Sequence, residues 1–303
     1  MQRQTDKTII MYQAFGIPEA YNQVIFSLLS LYHVVNGEPG NLQPLVYTDN
    51  EEIFRKYFPE SFLTVLPLSE SDKKAYFGEI NYLHRLKHCI LKDCFERFRR
   101  NILFIDGDTF FLKPPFELAG EISEKQSIMH IREFDMQEAG EYEGLLWLRI
   151  RKLIRENTFY KKGEAYKIPY ATVMWNVGVL GISYENRSVI DDTIELMDQM
   201  YPKGRIFNTE QLAAGYFIQN RTEIKPADDV VFHYWPADLK QSYNEFIRKF
   251  LAQHKGLSLP QLAAKAFEAS KQKENLPRIE PSLWQRLKLR ASLVKTVALK
   301  GSL

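Results

Sequence analysis

Asp106 and Asp108 stand one residue apart at the end of the apolar run Asn101-Ile102-Leu103-Phe104-Ile105. That run is short and rich in β-branched and aromatic side chains, the character of a buried strand. In an open α/β sheet the C-terminal strand edge is where ligands bind. Two carboxylates leaving a buried strand together repel each other and are poorly solvated, so the pattern asks for positive charge between them. A divalent cation that also carries phosphate oxygens meets that need. Mg2+ and Mn2+ take one or two carboxylates and leave their other positions to substrate phosphates and water. The bland alternative is that the two aspartates cap the turn that follows them.

Such a strand needs a sheet around it, and the chain supplies one. Thr8–Tyr12, Pro44–Thr48, Leu63–Leu66, Gln126–Ile131, Thr172–Ile182 and Val230–Phe232 read as further strands. Between them, helical spacing predicts helices over Glu19–Val35, Glu51–Tyr57, Asn81–Arg99, Glu143–Glu156, Ser188–Tyr201 and Asn208–Gln219. Gly37 and Pro39-Gly40 stop the first of these. The β-α-β-α order predicts an α/β fold with a mainly parallel, mixed sheet and helices on both faces. One domain over residues 1–245 and a C-terminal helical extension over 246–303 are expected. No internal repeat or low-complexity stretch interrupts this order.

Composition narrows the function classes. The chain has 303 residues, 45% apolar and 26% charged, as in an ordinary soluble enzyme. A net charge of +2 gives no whole-chain attraction to a polyanion, so no nucleic-acid partner is expected. Cys89 and Cys94 lie five apart on one helical segment and point to different faces, which argues against a disulfide and for a reducing compartment. No basic n-region with an apolar h-region opens the chain, and no apolar stretch reaches the roughly 18 residues that span a bilayer. A cytoplasmic chain is the expectation. Beyond Glu280, Arg286, Lys288, Arg290, Lys295 and Lys300 accompany an apolar stripe of Trp284, Leu287, Ala291, Val294 and Val297. A basic amphipathic tail of this kind can lie on an anionic leaflet, and the alternative is a helix packed on the body.

Four stretches in order resemble the GT-A fold glycosyltransferases, the nucleotide-diphospho-sugar transferases, and within them the retaining galactosyltransferase and glycogenin-like group. Arg85-Leu86-Lys87 resembles the helical element that faces the donor, and Leu103 through Thr109 resembles the DxD motif. Asn176-Val177-Gly178-Val179 resembles the strand lining the sugar pocket, and His233-Tyr234 falls where the group places a third metal ligand. The match covers roughly residues 8 to 240.

The resemblance implies transfer of a sugar from a nucleotide-sugar, a UDP-sugar by preference, to a hydroxyl of a glycan or lipid-linked acceptor. Asp106, Asp108 and His233 would hold Mn2+ or Mg2+, which neutralises the departing diphosphate. One imidazole in the set suits manganese better than calcium. Arg85 and Lys87 would supply fixed positive charge at the diphosphate. Gly107 would let backbone approach the nucleotide, and Lys240 would close over the phosphates, although Trp235-Pro236-Ala237-Asp238 replaces the family's usual run. Tyr12, Gln13 and Ala14 at the end of the first strand, with Thr48-Asp49, would frame base and ribose. Asn176 and Gly178 would line the sugar. Glu210 and Gln211 are the candidates for the reacting centre, set against a capping reading of Asn208-Thr209-Glu210-Gln211. The basic group Arg149, Arg151, Lys152, Arg155, Lys161, Lys162 and Lys167 suggests an anionic acceptor.

Two rivals stay open on the residues. Phe104 through Thr109 also resembles the nucleophile loop of haloacid-dehalogenase-like phosphatases, in which Asp106 would attack phosphorus with Mg2+ present. Lys225 and Asp228-Asp229 would then be its remaining groups. Alternatively, the fold binds a nucleotide without turning it over.

Overall fold

The computed structural model describes residues 7–135 and 144–271. β1 (Thr8–Ala14), α1 (Pro18–Val34), β2 (Leu42–Thr48), α2 (Glu51–Arg55), β3 (Thr64–Pro67), α3 (Glu70–Phe77), α4 (Leu83–Phe98) and β4 (Ile102–Ile105) form an alternating first half. β5 (Thr109–Phe111), α5 (Phe116–Gly120), β6 (Gln126–Met129), β7 (Arg132–Asp135), α6 (Gly144–Glu156), β8 (Phe159–Lys161), β9 (Glu164–Tyr166), β10 (Val173–Trp175) and β11 (Val179–Ile182) follow. The described chain then runs through α7 (Ser188–Gly204), α8 (Thr209–Gln219), β12 (Glu223–Pro226), β13 (Val231–His233), α9 (Ala237–Gln253) and α10 (Leu259–Ser270).

The central sheet has the order β12-β6-β11-β4-β1-β2-β3. β1 pairs in parallel with β2 and β4, and β2 with β3. The side chains of β1 alternate between two cores, Ile10 and Tyr12 toward α1, Ile9 and Met11 toward α4. β4 repeats the alternation, with Leu103 and Ile105 on the first face and Ile102 and Phe104 on the second. A strand apolar on both faces is what a parallel sheet covered by helices requires. The mainly parallel mixed sheet flanked by helices is therefore as the alternating pattern predicts.

Of the differences from the expected elements, three have a plain physical reason. The apolar run Thr172–Ile182 is two strands in different sheets: β10 pairs with β7 in a separate ribbon, and β11 enters the central sheet antiparallel to β4 and β6. Apolar character alone carries no sign of the break at Asn176-Val177-Gly178. The short β5 and β13 form a second, separate antiparallel ribbon. α3 opens on a capping box between Ser69 and Asp72, a helix too polar for hydrophobic periodicity to reveal.

α9 runs without interruption through residue 245 and packs with α10 against α1. Phe26 of α1 sits edge-on to Phe110 of β5 and to Phe246 and Phe250 of α9, at centroid distances of 6.2, 5.9 and 5.7 Å. Cys89 and Cys94 are free thiols. Among the described residues no helix is long and apolar enough to cross a membrane. The basic stripe from Trp284 to Lys300 lies outside the described residues. Phe26 holds α9 and the β5–β13 ribbon to the sheet. Phe26→Ala should therefore cost about 3–5 kcal/mol in urea denaturation, and a loss under about 1 kcal/mol would contradict this packing.

Candidate functional site

Backbone pairing brings the site together. Asp106 follows the last residue of β4, and its N–H donates to the carbonyl of Gly178 at 2.8 Å, extending the β4–β11 ladder by one step. His233 stands opposite Thr109 in the β13–β5 ribbon, and the Tyr234 N–H donates to the Asp108 carbonyl at 3.0 Å. Two ladders thus deliver Gly178 beside the first aspartate and His233 beside the second.

The side chains converge accordingly. Asp106, Asp108 and His233 each offer a ligand atom, all within 4.8 Å of one another. His233 Nε2 lies 3.4 Å from Asp108 Oδ1. Lys240 donates to Asp108 Oδ2 at 2.7 Å, and Lys87 Nζ stands 3.5 Å from Asp106 Oδ2. Burial alone would raise the Asp108 carboxyl, but Lys240 and the cationic form of His233 outweigh it and hold it below the usual carboxylate range. Burial, together with the neighbouring Asp108, pushes the Asp106 carboxyl up against the pull of Lys87. Asp108 thus has a lysine at hydrogen-bond distance, and Asp106 only the longer contact to Lys87. Two carboxylates and an imidazole in one half-open pocket suit a divalent ion such as Mn2+ or Mg2+.

Gly178 is required by this packing. A Cβ there would sit 2.2 Å from both Nδ1 and Cε1 of the His233 ring. Gly107, by contrast, faces α1, where a Cβ would meet Val24 Cγ2 at 2.9 Å.

The metal-ligand candidates open into a cavity of about 860 Å³. Ala14, Lys87, Gly107, Asn176, Gly178, Glu210, Gln211 and Lys240 also line it. Tyr12 is not in the wall: its ring is fully buried and its hydroxyl bonds Ser27 at 3.0 Å. Asp49 is held by Lys73, Tyr21 and the Gly16 N–H. Arg85 turns away from the cavity and donates to Asp198 at 2.7 and 3.1 Å and to the Tyr76 carbonyl.

Glu210 lies at the cavity wall and is almost fully buried. Its carboxylate meets Lys87 Nζ at 2.7 Å and His84 Nδ1 at 2.8 Å. Burial works against its ionisation, but Lys87 and His84 prevail and keep it well below the ordinary glutamate range. Burial lowers His88, whose Nε2 lies 3.3 Å from the same carboxylate. Asn208 makes no side-chain cap to α8; its amide donates to Gln211 Oε1 at 3.2 Å.

Sequence reasoning missed Glu133. Its carboxylate accepts from Asn176 Nδ2 at 2.9 Å and, through its other oxygen, from Gln211 Nε2. Asn176 Oδ1 in turn accepts from the Gly178 N–H at 2.9 Å and lies 3.0 Å from His233 Nδ1. No pattern around Arg132-Glu133-Phe134 marks this role in the sequence.

The phosphatase reading needs Lys225 and Asp228-Asp229 near Asp106. Lys225 instead pairs with Glu121, and Asp229 with Lys113, both outside the cavity. Of the basic group between the two halves, Lys161 pairs with Asp192, while Arg149 and Lys167 donate to the Gly204 and Asn157 carbonyls.

The contact between Gly178 and the imidazole gives a direct test. Gly178→Ala should destabilise the chain by about 1–3 kcal/mol through overpacking, and should weaken any divalent cation bound in the cavity. Urea denaturation and calorimetric Mn2+ titration check both, and wild-type values in both would contradict the assigned packing.

No family model matches the chain, and no curated protein matches it in sequence. Among solved structures, it is similar to the crystal structure of galactosyltransferase LgtC in complex with donor and acceptor sugar analogs. The TM-score is 0.51 at 12% identity, covering 91% of this chain and 99% of that one. The chain therefore has the fold of a GT-A glycosyltransferase.

Proposed function

We propose that the chain is a divalent-cation-dependent glycosyltransferase moving a hexosyl unit from a UDP-sugar to a hydroxyl of a glycan or lipid-linked acceptor, with retention at the anomeric carbon. The observation that carries this reading is the meeting of Asp106, Asp108 and His233 in one cavity at the C-terminal edge of a GT-A sheet. LgtC was solved with both donor and acceptor sugar analogs. A cavity of about 860 Å³ lies toward the upper end of ligand pockets and suits two saccharide-sized ligands.

In this reading Asp106, Asp108 and His233 would hold Mn2+ or Mg2+. The ion supplies charge neutralisation for the leaving diphosphate. The acceptor oxygen forms a bond to the anomeric carbon while the bond from that carbon to the diphosphate oxygen breaks. The acceptor proton passes to the departing phosphate. Lys240 is half-exposed and can exchange the Asp108 carboxylate for a phosphate oxygen. Lys87 is locked between Asp106 and Glu210 and contributes fixed positive charge from the cavity floor. Gln13, Ala14 and Phe15 form the wall next to α1, a place for base and ribose.

Glu210 bears on the stereochemistry. An inverting reaction needs a carboxylate base with a pKa near the working pH. Glu210 is held far below that by Lys87 and His84, which makes it a weak base and a persistent negative charge. Such a charge would stabilise positive character at the anomeric centre and leave deprotonation to the phosphate, which a retaining displacement on the leaving-group face allows. On the acceptor side, Phe207 and Trp235 stand exposed on the rim, 67% and 39%, as faces for a saccharide ring. Localisation at a cytoplasmic membrane face through the basic tail beyond Glu280 completes the proposal.

Two outcomes are expected. Asp108→Ala should lower nucleoside diphosphate release by at least about 100-fold, and near-normal turnover would contradict the metal role. In a thermal-shift panel of nucleotide-sugars, only the true donor should raise the melting point, and more so with Mn2+. Hydrolysis of simple phosphate esters, with no response to any nucleotide-sugar, would favour the phosphatase instead.

A further inference from the structure

Glu133 occupies an irregular place in the fold. In the β10–β7 ribbon Met174 pairs with Phe134 and Trp175 with Arg132, so the register shifts and Glu133 is left without a partner strand residue. It is the extra residue of a β-bulge, a device that re-aims a side chain beside a site. The bulge turns Glu133 into the main cavity, where one carboxylate receives the amides of both Asn176 and Gln211.

We propose that Glu133 is a positioning residue that sets which nitrogen of His233 is free to bind a cation. Asn176 has its amide orientation fixed from two sides. Its Oδ1 accepts from the Gly178 N–H at 2.9 Å, and its Nδ2 donates to Glu133 at 2.9 Å. The atom it presents to His233 Nδ1, at 3.0 Å, is therefore an acceptor. In the neutral ring Nδ1 must carry the proton, and Nε2 keeps a bare lone pair, 3.4 Å from Asp108 Oδ1. A lone pair facing carboxylate oxygens is unfavourable until a cation sits between them. Glu133 thereby turns the imidazole into a ligand rather than a donor. The carboxylate's other oxygen orients Gln211, so one side chain ties the cation end of the cavity to its reacting face.

The tautomer assignment stands on hydrogen bonds alone, and its consequence for the cation rests on the proposed metal-dependent transfer. Glu133→Gln keeps the shape but replaces one acceptor oxygen by a donor, so Asn176 can turn over. The full chain is labelled with 15N-histidine and observed above the titration of the ring. In the wild type, His233 should show Nδ1 protonated and Nε2 bare. In Glu133→Gln it should become a mixture of both tautomers, and calorimetric affinity for Mn2+ should fall about tenfold, the low end for partners behind a metal-binding histidine. A wild-type ring protonated on Nε2 would overturn the proposal without any variant, as would a Glu133→Gln chain with the wild-type tautomer or wild-type Mn2+ affinity. Absence of Mn2+ binding in the wild type contradicts the metal reading, and the tautomer comparison then decides Glu133 by itself.

Discussion

The whole site depends on the balance of buried charge at the end of β4. Asp106, Asp108 and Glu210 bring three carboxylates into one wall, answered by the ammonium groups of Lys87 and Lys240, with the imidazoles of His84 and His233 placed alongside. Lys87 lies at the centre, buried between Asp106 and Glu210, with its ammonium also donating to the Val177 carbonyl at 3.2 Å. Stripping one partner from a buried pair leaves an uncompensated charge and costs about 3–5 kcal/mol. The arrangement is thus a structural commitment as much as a chemical one. The side facing the cavity is unequal: Asp108 has Lys240 at 2.7 Å, while Asp106 has Lys87 only at 3.5 Å. That inequality leaves room for one more cation.

Topology explains why these residues can meet at all. A purely parallel sheet would bring only strand ends to the cavity edge. Here β11 reverses direction, so Asn176 and Gly178 reach the same edge from the start of a strand. The β5–β13 ribbon adds His233, more than 120 residues after the aspartates, by pairing it with Thr109. Gly178 is where the two contributions touch, which is why a side chain there has no space.

The layered architecture was legible because strands buried on both faces read as apolar runs, and helices against them as amphipathic stripes. The Asp-Gly-Asp turn was legible for a similar reason, since its chemistry is local. His233 and Lys240 reached attention only through resemblance, for nothing local marks an ordinary histidine or an exposed lysine. Arg85 and Lys87, two apart on α4, look equivalent in sequence. The helix turns them to different sides, Lys87 into the cavity and Arg85 onto Asp198. Glu133 was invisible because its role comes from a one-residue register shift between strands about 40 residues apart. The strand break at Asn176 was hidden inside a continuous apolar run for the same reason: pairing partners, and not composition, end a strand there.

The most direct measurement is an anomalous diffraction map of crystals grown with Mn2+ and UDP. The account predicts one manganese peak within coordination distance of Asp106, Asp108 and His233 Nε2, with diphosphate oxygens completing its shell. A diphosphate bound in the cavity with no metal peak there, or with the peak away from His233, would contradict it.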